Sequence, residues 1–493
     1  MQDATTQIRA LQEELRGARA QITALQEELR KRDQVLGLLQ MQFAALRAED
    51  TRLRGRVTEL EEQLGRNSSN SSKPPSSDRP GSRPPRASSK NRNRRRKRGG
   101  QPGHRGSHRV LLSSDKVDRV VDHYPGQCEN CWNNLPHTPD ADPQRYQVTE
   151  LPPVKPETTE HRAHAVTCGC GFTTRAAVPE AVRASSFGPR LSSIIAMLTG
   201  VFHLSRRQAV MAAADFFGVD ISLGAVSALE DRVSEAIEPA VDEAWNEARR
   251  ADVKHTDGTG WCQAGRALQL WTIATTTVTV FKVLTEATTD ALKTLLGRIK
   301  GVMVSDRATA LNFWAMKRRQ ICWAHLLRKF VSFSERDGPA NSFGRVLLDY
   351  TGILFDYYRA YRGGQISAAT FRQRMAPVRV QVEAVLERAA HANIRRLSGS
   401  CANILAHREA LWTFVDNPQV EPTNNHAERE LRSFVLWRRR SFGTQSERGN
   451  RFAERIMTVA HTARKQGKPI LAYLTAACQA DVLDQPCPSL LAA

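Results

Sequence analysis

The sequence predicts a multidomain protein: an N-terminal coiled coil, a small cysteine-bearing ribbon, a helical helix-turn-helix domain, and an α/β core with a helical insertion. Three observations predict it. Apolar residues repeat every seven positions over the first 65 residues, a basic low-complexity stretch follows, and helical periodicity gives way to strand periodicity at residue 252. The chain has 493 residues, enough for two to four folded units.

In residues 1–65, Ile8, Leu15, Ile22, Leu29, Leu36, Phe43, Val57 and Leu64 share one heptad position. Leu11, Ala18, Leu25, Leu39, Leu46, Leu53 and Leu60 share the other, with Asp50 and Arg32 as the two interruptions. A lone helix would leave such a stripe wet, so the pattern predicts a coiled coil that joins copies of the chain into a homo-oligomer. The competing reading is one helix folded back on the protein.

Residues 66–109 carry fourteen basic residues and one acidic residue, Asp78. With almost no large apolar side chains, the segment cannot offset its ordering entropy and is expected to be disordered until it meets a partner. The formal net charge of +20 and pI near 10 favour a polyanion, nucleic acid first. Arg94, Arg95, Arg96, Lys97 and Arg98 are its candidate phosphate contacts. No apolar run approaches the roughly 20 residues needed to span a bilayer, and the N-terminus has no signal-peptide core. A soluble, cytoplasmic, nucleoid-associated protein is the expectation.

Residues 110–182 read as short extended pieces with turns. They hold Cys128 and Cys131 at knuckle spacing and, 37 residues on, Cys168 and Cys170. Four thiolates could hold one structural Zn2+ in a zinc-ribbon-like element, with His161 or His164 able to replace one of them. The alternative is four reduced cysteines in a metal-free ribbon. The nine cysteines otherwise lie mostly singly in apolar stretches and imply no disulfide framework.

Residues 183–250 read as helices. In 205–233, apolar residues at helical spacing flank Gly218, Val219 and Asp220, and Ser222 is placed to cap the second helix. That is the helix-turn-helix pattern, which would seat Leu223 to Arg232 in a major groove with Arg206, Arg207 and Arg232 as DNA contacts. A plain helical hairpin has the same pattern.

Residues 251–475 form the core. The order is strand, strand, strand, helix, strand: VKHTDGTGWCQ, RALQLWTIATT, TVTVFKVLT, TTDALKTLLGRIK and GVMVSDRAT. It is the opening of the ribonuclease-H-like fold, in which the first and fourth strands lie side by side. Asp257 on the first and Asp306 ending the fourth would project together and hold Mg2+ or Mn2+ for phosphoryl transfer with a third carboxylate. Glu428 is the candidate, on a helix that Asn424 or Asn425 could cap, with Glu430 and Glu421 as competitors. The 121 residues between Asp306 and Glu428 imply a helical insertion at about 335–420. His325, in a C-x-x-H element with Cys322, is expected near the metals or the DNA, or packed against Trp323. Arg438 and Arg439 in the arginine- and aromatic-rich segment 432–451 are candidate backbone contacts. Residues 476–493 read as a tail.

Several segments resemble the transposases of the insertion sequence 66 group: LGRNSSNSSKPPSSD at 64–78, GGQPGHRG at 99–106, VTELPPVKPETTEHR at 148–162, HTDGTGW at 255–261, VSDRATAL at 304–311, CWAHLLRKF at 322–330, TNNHAERELR at 423–432 and SERGNRFAE at 446–454. The resemblance implies an Asp-Asp-Glu enzyme with a retroviral-integrase-like core and catalytic Asp257, Asp306 and Glu428, so it selects Glu428 over its neighbours. It further implies structural zinc, strand cleavage at the ends of a mobile element, strand transfer into target DNA, and accessory transposition proteins as candidate partners. The chain departs from the family at Gly258, where glutamate is usual, and at Arg307 and Ala308, where glycine and tyrosine are common. Those departures define one rival reading, an inactive DNA-binding regulator. A structure-selective nuclease of the same fold is the other.

Overall fold

We describe a computed structural model of the chain in which the described residues are 2–64, 109–297 and 300–491. The basic run Arg94, Arg95, Arg96, Lys97 and Arg98 lies outside them. The chain divides into two units, residues 1–84 with 326–351, and residues 85–325 with 352–493.

α1 is a single helix, Gln2–Leu64. Ten apolar residues of the heptad positions, from Leu15 and Ile22 to Leu53 and Val57, are each more than half exposed, the least at 53%. These ten side chains therefore face solvent within this chain. The polar interruptions make helix-surface ion pairs: Arg32 with Glu28 at 3.1 Å and Asp50 with Arg54 at 2.8 Å.

Residues 109–180 are mostly extended and exposed, with a hairpin of β1 (Ala165–Thr167) and β2 (Thr173–Arg175). Short helices α2 (Glu180–Ala184) and α3 (Pro189–Ala196) lead to the expected pair α4 (Arg206–Phe217) and α5 (Leu223–Ala236), and α6 (Glu238–Arg250) follows. Gly218 closes α4 at φ +62, a left-handed conformation that glycine adopts without a Cβ penalty. Ser222 Oγ accepts the Ala225 N–H at 3.1 Å, the expected cap.

β3 (Val253–Gln263), β4 (Arg266–Ala274) and β5 (Thr279–Leu284) form an antiparallel meander. α7 (Thr289–Leu296) then crosses to β6 (Val302–Ser305), and β7 (Arg319–Ile321) completes a five-stranded sheet of order β5-β4-β3-β6-β7. The first and fourth strands of the core are thus neighbours, and they run parallel. After β7 come α8 (Trp323–Ser334), α9 (Pro339–Arg362), α10 (Ala368–His391), α11 (Ser398–Leu405) and α12 (Thr413–Asp416), so the long interval between the aspartates and Glu428 is helical. α13 (Asn425–Ser441), α14 (Glu447–Lys465) and α15 (Ile470–Val482) close the chain.

Both sheet edges are covered. On α14, Thr462, Thr458 and Glu454 accept the N–H groups of Thr279, Phe281 and Val283 on edge strand β5, at 3.1, 3.2 and 2.7 Å. Four helical residues advance about 6 Å and two strand residues about 6.7 Å, so side chains spaced i, i+4 match alternate backbone donors. At the other edge, Thr413 Oγ1 donates to the backbone Arg319 O of β7 at 2.6 Å, and the Gln320 side chain accepts the Phe414 N–H at 2.9 Å and donates to Leu411 O at 3.1 Å. Helical side chains and turns satisfy the polar rows that would otherwise recruit a foreign strand.

One continuous apolar core takes Val233, Ile237 and Ala244 from the helical stretch, Leu270, Ile273 and Phe281 from the sheet, and Phe434, Ile456 and Leu474 from the closing helices. The boundary expected at residue 250 falls inside this core. The C-terminal segment expected as a tail from 476 is also packed: α15 runs to Val482, Leu490 is fully buried, and its N–H donates to Glu243 at 2.7 Å.

Candidate active site

Asp257 sits in the middle of β3, opposite Thr272 on β4. On its other side, β3 pairs in parallel with β6 as far as His255 opposite Val304. Asp257 and Asp306 each lie two residues beyond that pair, Asp306 just after the end of β6, and with Glu428 they do not form a group of ligand atoms within 4.8 Å of one another among the described residues. Each carboxylate accepts a local backbone N–H, Gly258 to Asp257 at 2.9 Å and Ala308 to Asp306 at 2.8 Å.

The loop after β6 is held by Arg319, a residue that sequence reasoning missed. Its guanidinium is fully buried and donates to Asp306 O at 2.8 Å, Leu311 O at 3.2 Å, Asn312 Oδ1 at 3.1 Å and Ser305 Oγ at 3.1 Å. Burial pushes it down to about 10, against the Asp306 charge. The signal was an arginine opening the otherwise uncharged strand RQI.

Glu428 lies in the first turn of α13. Asn424 occupies the capping position, but its side chain does not cap the helix. It is buried and donates from Nδ2 to Thr256 O at 2.8 Å, one residue from Asp257. The Asn424 N–H donates to Cys322 Sγ at 3.1 Å, and the Glu428 N–H to Asn424 O at 3.2 Å. Asn424 thus ties the Glu428 turn to the strand bearing Asp257 and to the chain leaving β7.

Of the competing carboxylates, Glu430 is already engaged. It pairs with His461, with Lys465 at 3.3 Å and with His426 at 3.6 Å. Burial alone would push its carboxyl up, but these partners outweigh it and hold the group well below the ordinary range. Glu421 is half-buried in the loop before α13.

His325 lies beside Glu428, with Nδ1 3.5 Å from Oε1. Cys322 is fully buried, and burial pushes its thiol up to about 11 against the backbone N–H groups of Asn424, His325 and Ala324. Among the described residues, the group of three whose ligand atoms all lie within 4.8 Å of one another is Cys322, His325 and Glu428.

Two of the three departures near the aspartates have local contacts. Gly258 lies opposite Trp271 on β4, and a Cβ at 258 would stand 2.9 Å from the indole. A side chain there and this tryptophan exclude each other. Arg307 reaches out to Asn403, donating from Nη1 at 2.7 Å.

The helix-turn-helix shape is present, but its second helix is committed to the interior. α5 buries Val226, Leu229, Glu230 and Val233, and its exposed residues are Leu223, Gly224, Ala228 and Glu235, with no basic side chain among them. Arg206 pairs with Glu230, donating at 2.6 and 3.0 Å, and Arg232 donates to Ala184 O at 2.5 Å. Arg207 is exposed. On α13, Arg438 is half-buried and donates to Gly260 O, whereas Arg439 is exposed.

The cysteine pairs are each formed locally. The Cys128 N–H donates to Asn133 O at 2.9 Å and the Trp132 N–H to Cys128 O at 2.9 Å, while the Cys168 N–H donates to Phe172 O at 2.9 Å and the Gly171 N–H to Cys168 O at 2.8 Å. Hydrogen bonds from Cys131 lower the Cys128 thiol, and hydrogen bonds from Cys170 lower the Cys168 thiol. Cys128, Cys131, Cys168 and Cys170 do not converge into one ligand group among the described residues.

The model of the transposase IS66 family matches residues 184–451, more than half of the chain, and takes in Asp257, Asp306, His325 and Glu428. The chain belongs to the IS66 transposase family. A family of unknown function, DUF6444, matches residues 2–110 of this transposase, covering α1 and the basic run. The cysteine pairs lie between the two matches. A curated relative, "Uncharacterized protein y4jD" of Sinorhizobium fredii (strain NBRC 101917 / NGR234), is 27% identical over 206 residues, and the match spans 38% of that relative's length. No helix among the described residues is long and apolar enough to cross a membrane.

Proposed function

We propose that this IS66-family transposase cuts and joins DNA at the ends of a mobile element, with Asp257, Asp306 and Glu428 as the ligands of Mg2+ or Mn2+. The observation that supports the reading is the parallel register of β3 with β6, whose last pair, His255 with Val304, lies two residues before Asp257 and Asp306, together with the Asn424–Thr256 bond that ties the Glu428 turn to the same strand. The sheet order, with three antiparallel strands and two parallel ones, supports a ribonuclease-H-like core. The donor set fits a hard cation, since all three groups are carboxylates. Bound there, divalent metal would activate the attacking oxygen and stabilise the leaving one. Water and then the freed 3′-hydroxyl serve as successive nucleophiles, so no covalent enzyme intermediate forms.

The chain's own residues position that chemistry. Arg319 holds the Asp306 loop, Asn424 fixes the entry of α13, and the Glu430 network sets the rotation of that helix. Double-stranded DNA would be held by the basic segment with Arg94 to Arg98 and by the exposed Arg207 and Arg439. The solvent-facing heptad stripe of α1 supports pairing of two copies, as synapsis of two element ends requires. The two cysteine turns, apart in the structure, would be drawn together as halves of one zinc site when the ion binds.

The test is cleavage of terminal element DNA by the purified chain with magnesium or manganese. The parent should cut and join a precleaved end, and Asp306→Ala should lower the rate by about three orders of magnitude or more with its circular dichroism unchanged. Equal cutting by both proteins, or by neither, overturns the assignment, and cutting without joined products makes the chain a nuclease.

A further inference from the structure

Cys322 follows β7, His325 stands three residues on in α8, and Glu428 lies in the first turn of α13. Their ligand atoms all lie within 4.8 Å of one another. The 3.5 Å between His325 Nδ1 and Glu428 Oε1 is longer than a good hydrogen bond. It matches the edge between two ligands of a tetrahedral zinc ion, roughly 3.3–3.8 Å for bonds of about 2.0–2.3 Å. Cys322 Sγ already accepts the Asn424 N–H at 3.1 Å, the kind of donor that steadies a metal-bound thiolate.

The donor types separate this group from the carboxylate site. Thiolate and imidazole select zinc-like ions over magnesium, whereas two aspartates and a glutamate select the reverse. Glu428 belongs to this group and to the proposed carboxylate site, so an ion held by Cys322 and His325 competes for its carboxylate.

We propose that Cys322, His325 and Glu428 form an inhibitory site for a thiophilic divalent cation, which draws Glu428 away from Asp257 and Asp306 and halts DNA cleavage. On binding, the Cys322 thiol proton passes to solvent as the sulfur–metal bond forms, and three protein ligands leave the fourth position to water. The inhibitory half rests on the proposed role of Glu428, and the metal-binding half does not.

Cobalt(II) is the probe, because a cobalt–thiolate bond gives a charge-transfer absorption that oxygen ligands do not. The protein is the full chain with Cys128, Cys131, Cys168 and Cys170 changed to serine, so that those thiols are silent. It should take up one equivalent of cobalt with a thiolate band. Cys322→Ser should abolish the band, and His325→Gln, at a half-exposed position, should weaken binding tenfold or more. The ratio of magnesium-dependent cleavage without and with added zinc, taken within each protein, should be at least tenfold in the parent and within twofold in Cys322→Ser.

A band absent from the parent, or unchanged in both variants, overturns the site. A normal band with no zinc inhibition of existing cleavage overturns the inhibitory role. A normal band together with no DNA cleavage by the chain with all its cysteines intact supports the metal site and counts against the proposed function instead. If Cys322→Ser fails to fold, His325→Gln decides the matter by the same two readouts.

Discussion

The carboxylates of the sheet and the cysteines of residues 126–172 are held by opposite means. Asp257 lies on β3 and Asp306 just after β6, two strands in parallel register, and the turn bearing Glu428 is fixed by bonds reaching 168 residues, from Asn424 to Thr256, and 102 residues, to Cys322. The cysteine pairs are shaped by turns spanning a few residues, in a segment whose Trp132, Tyr146, Val148 and Leu151 are 74–96% exposed. The difference teaches that a hydrophobic core positions distant side chains without help, whereas local turns shape each cysteine pair alone, so that the proposed zinc ion would have to unite them.

Supplying that ion gives the largest expected effect. Structural zinc contributes roughly 10–16 kcal/mol in small metal-folded domains, so one equivalent should slow proteolysis within residues 109–180 by about tenfold or more. Cys168→Ser should remove the protection. Cleavage unaffected by zinc would show that the two turns are independent.

The sheet side breaks next. Asn424→Ala leaves Thr256 O without its donor, which should cost about 1–3 kcal/mol in urea denaturation, and magnesium-dependent DNA cleavage should fall at least tenfold as the Glu428 turn loosens. Stability lost without any change in cleavage would mean that Asn424 only supports the fold.

Gly258→Glu introduces the residue that the family resemblance leads one to expect but drives its side chain into Trp271. Overpacking should cost about 1–3 kcal/mol, and Trp271→Ala in the same protein should recover part of it. A fully stable Gly258→Glu single variant would remove the steric account of this departure.

The smallest effect is acid sensitivity. Burial pushes His203 down to about 4, with Arg440, His461 and Arg464 opposing its charge, and its ring stacks on Trp437 at 4.8 Å. The folded value lies below the unfolded one near 6.5, so the stabilisation is complete above that pH and is lost as pH falls toward 4. The unfolding free energy from urea denaturation should drop between pH 7 and 5, by about 1 kcal/mol or less after solvent screening. His203→Asn, which tolerates the same left-handed backbone at φ +57, should flatten the dependence.

Much of the site was legible in order along the chain. Strand periodicity placed Asp257 and Asp306, and helical spacing placed Glu428, because side-chain patterns of period two and 3.6 are local properties. The choice of Glu428 over Glu430 came from family resemblance, and its physical counterpart is the His426, His461 and Lys465 cage around Glu430. Arg319 and Trp271 went unread because an isolated arginine or tryptophan in a strand announces no partner.

The sequence by itself determined the long N-terminal helix, the order of strands and helices, the helix-turn-helix shape and the identity of the acidic residues. Only the tertiary structure decided that α5 turns its face inward, that Asn424 serves β3 instead of its own helix, that Arg206 and Arg232 are already partnered, and that the chain's last residues join the core. The reason is physical: propensity, capping and periodicity act over a few residues. A buried hydrogen bond between residues 168 positions apart exists only once the packing of the whole core has excluded water from both ends.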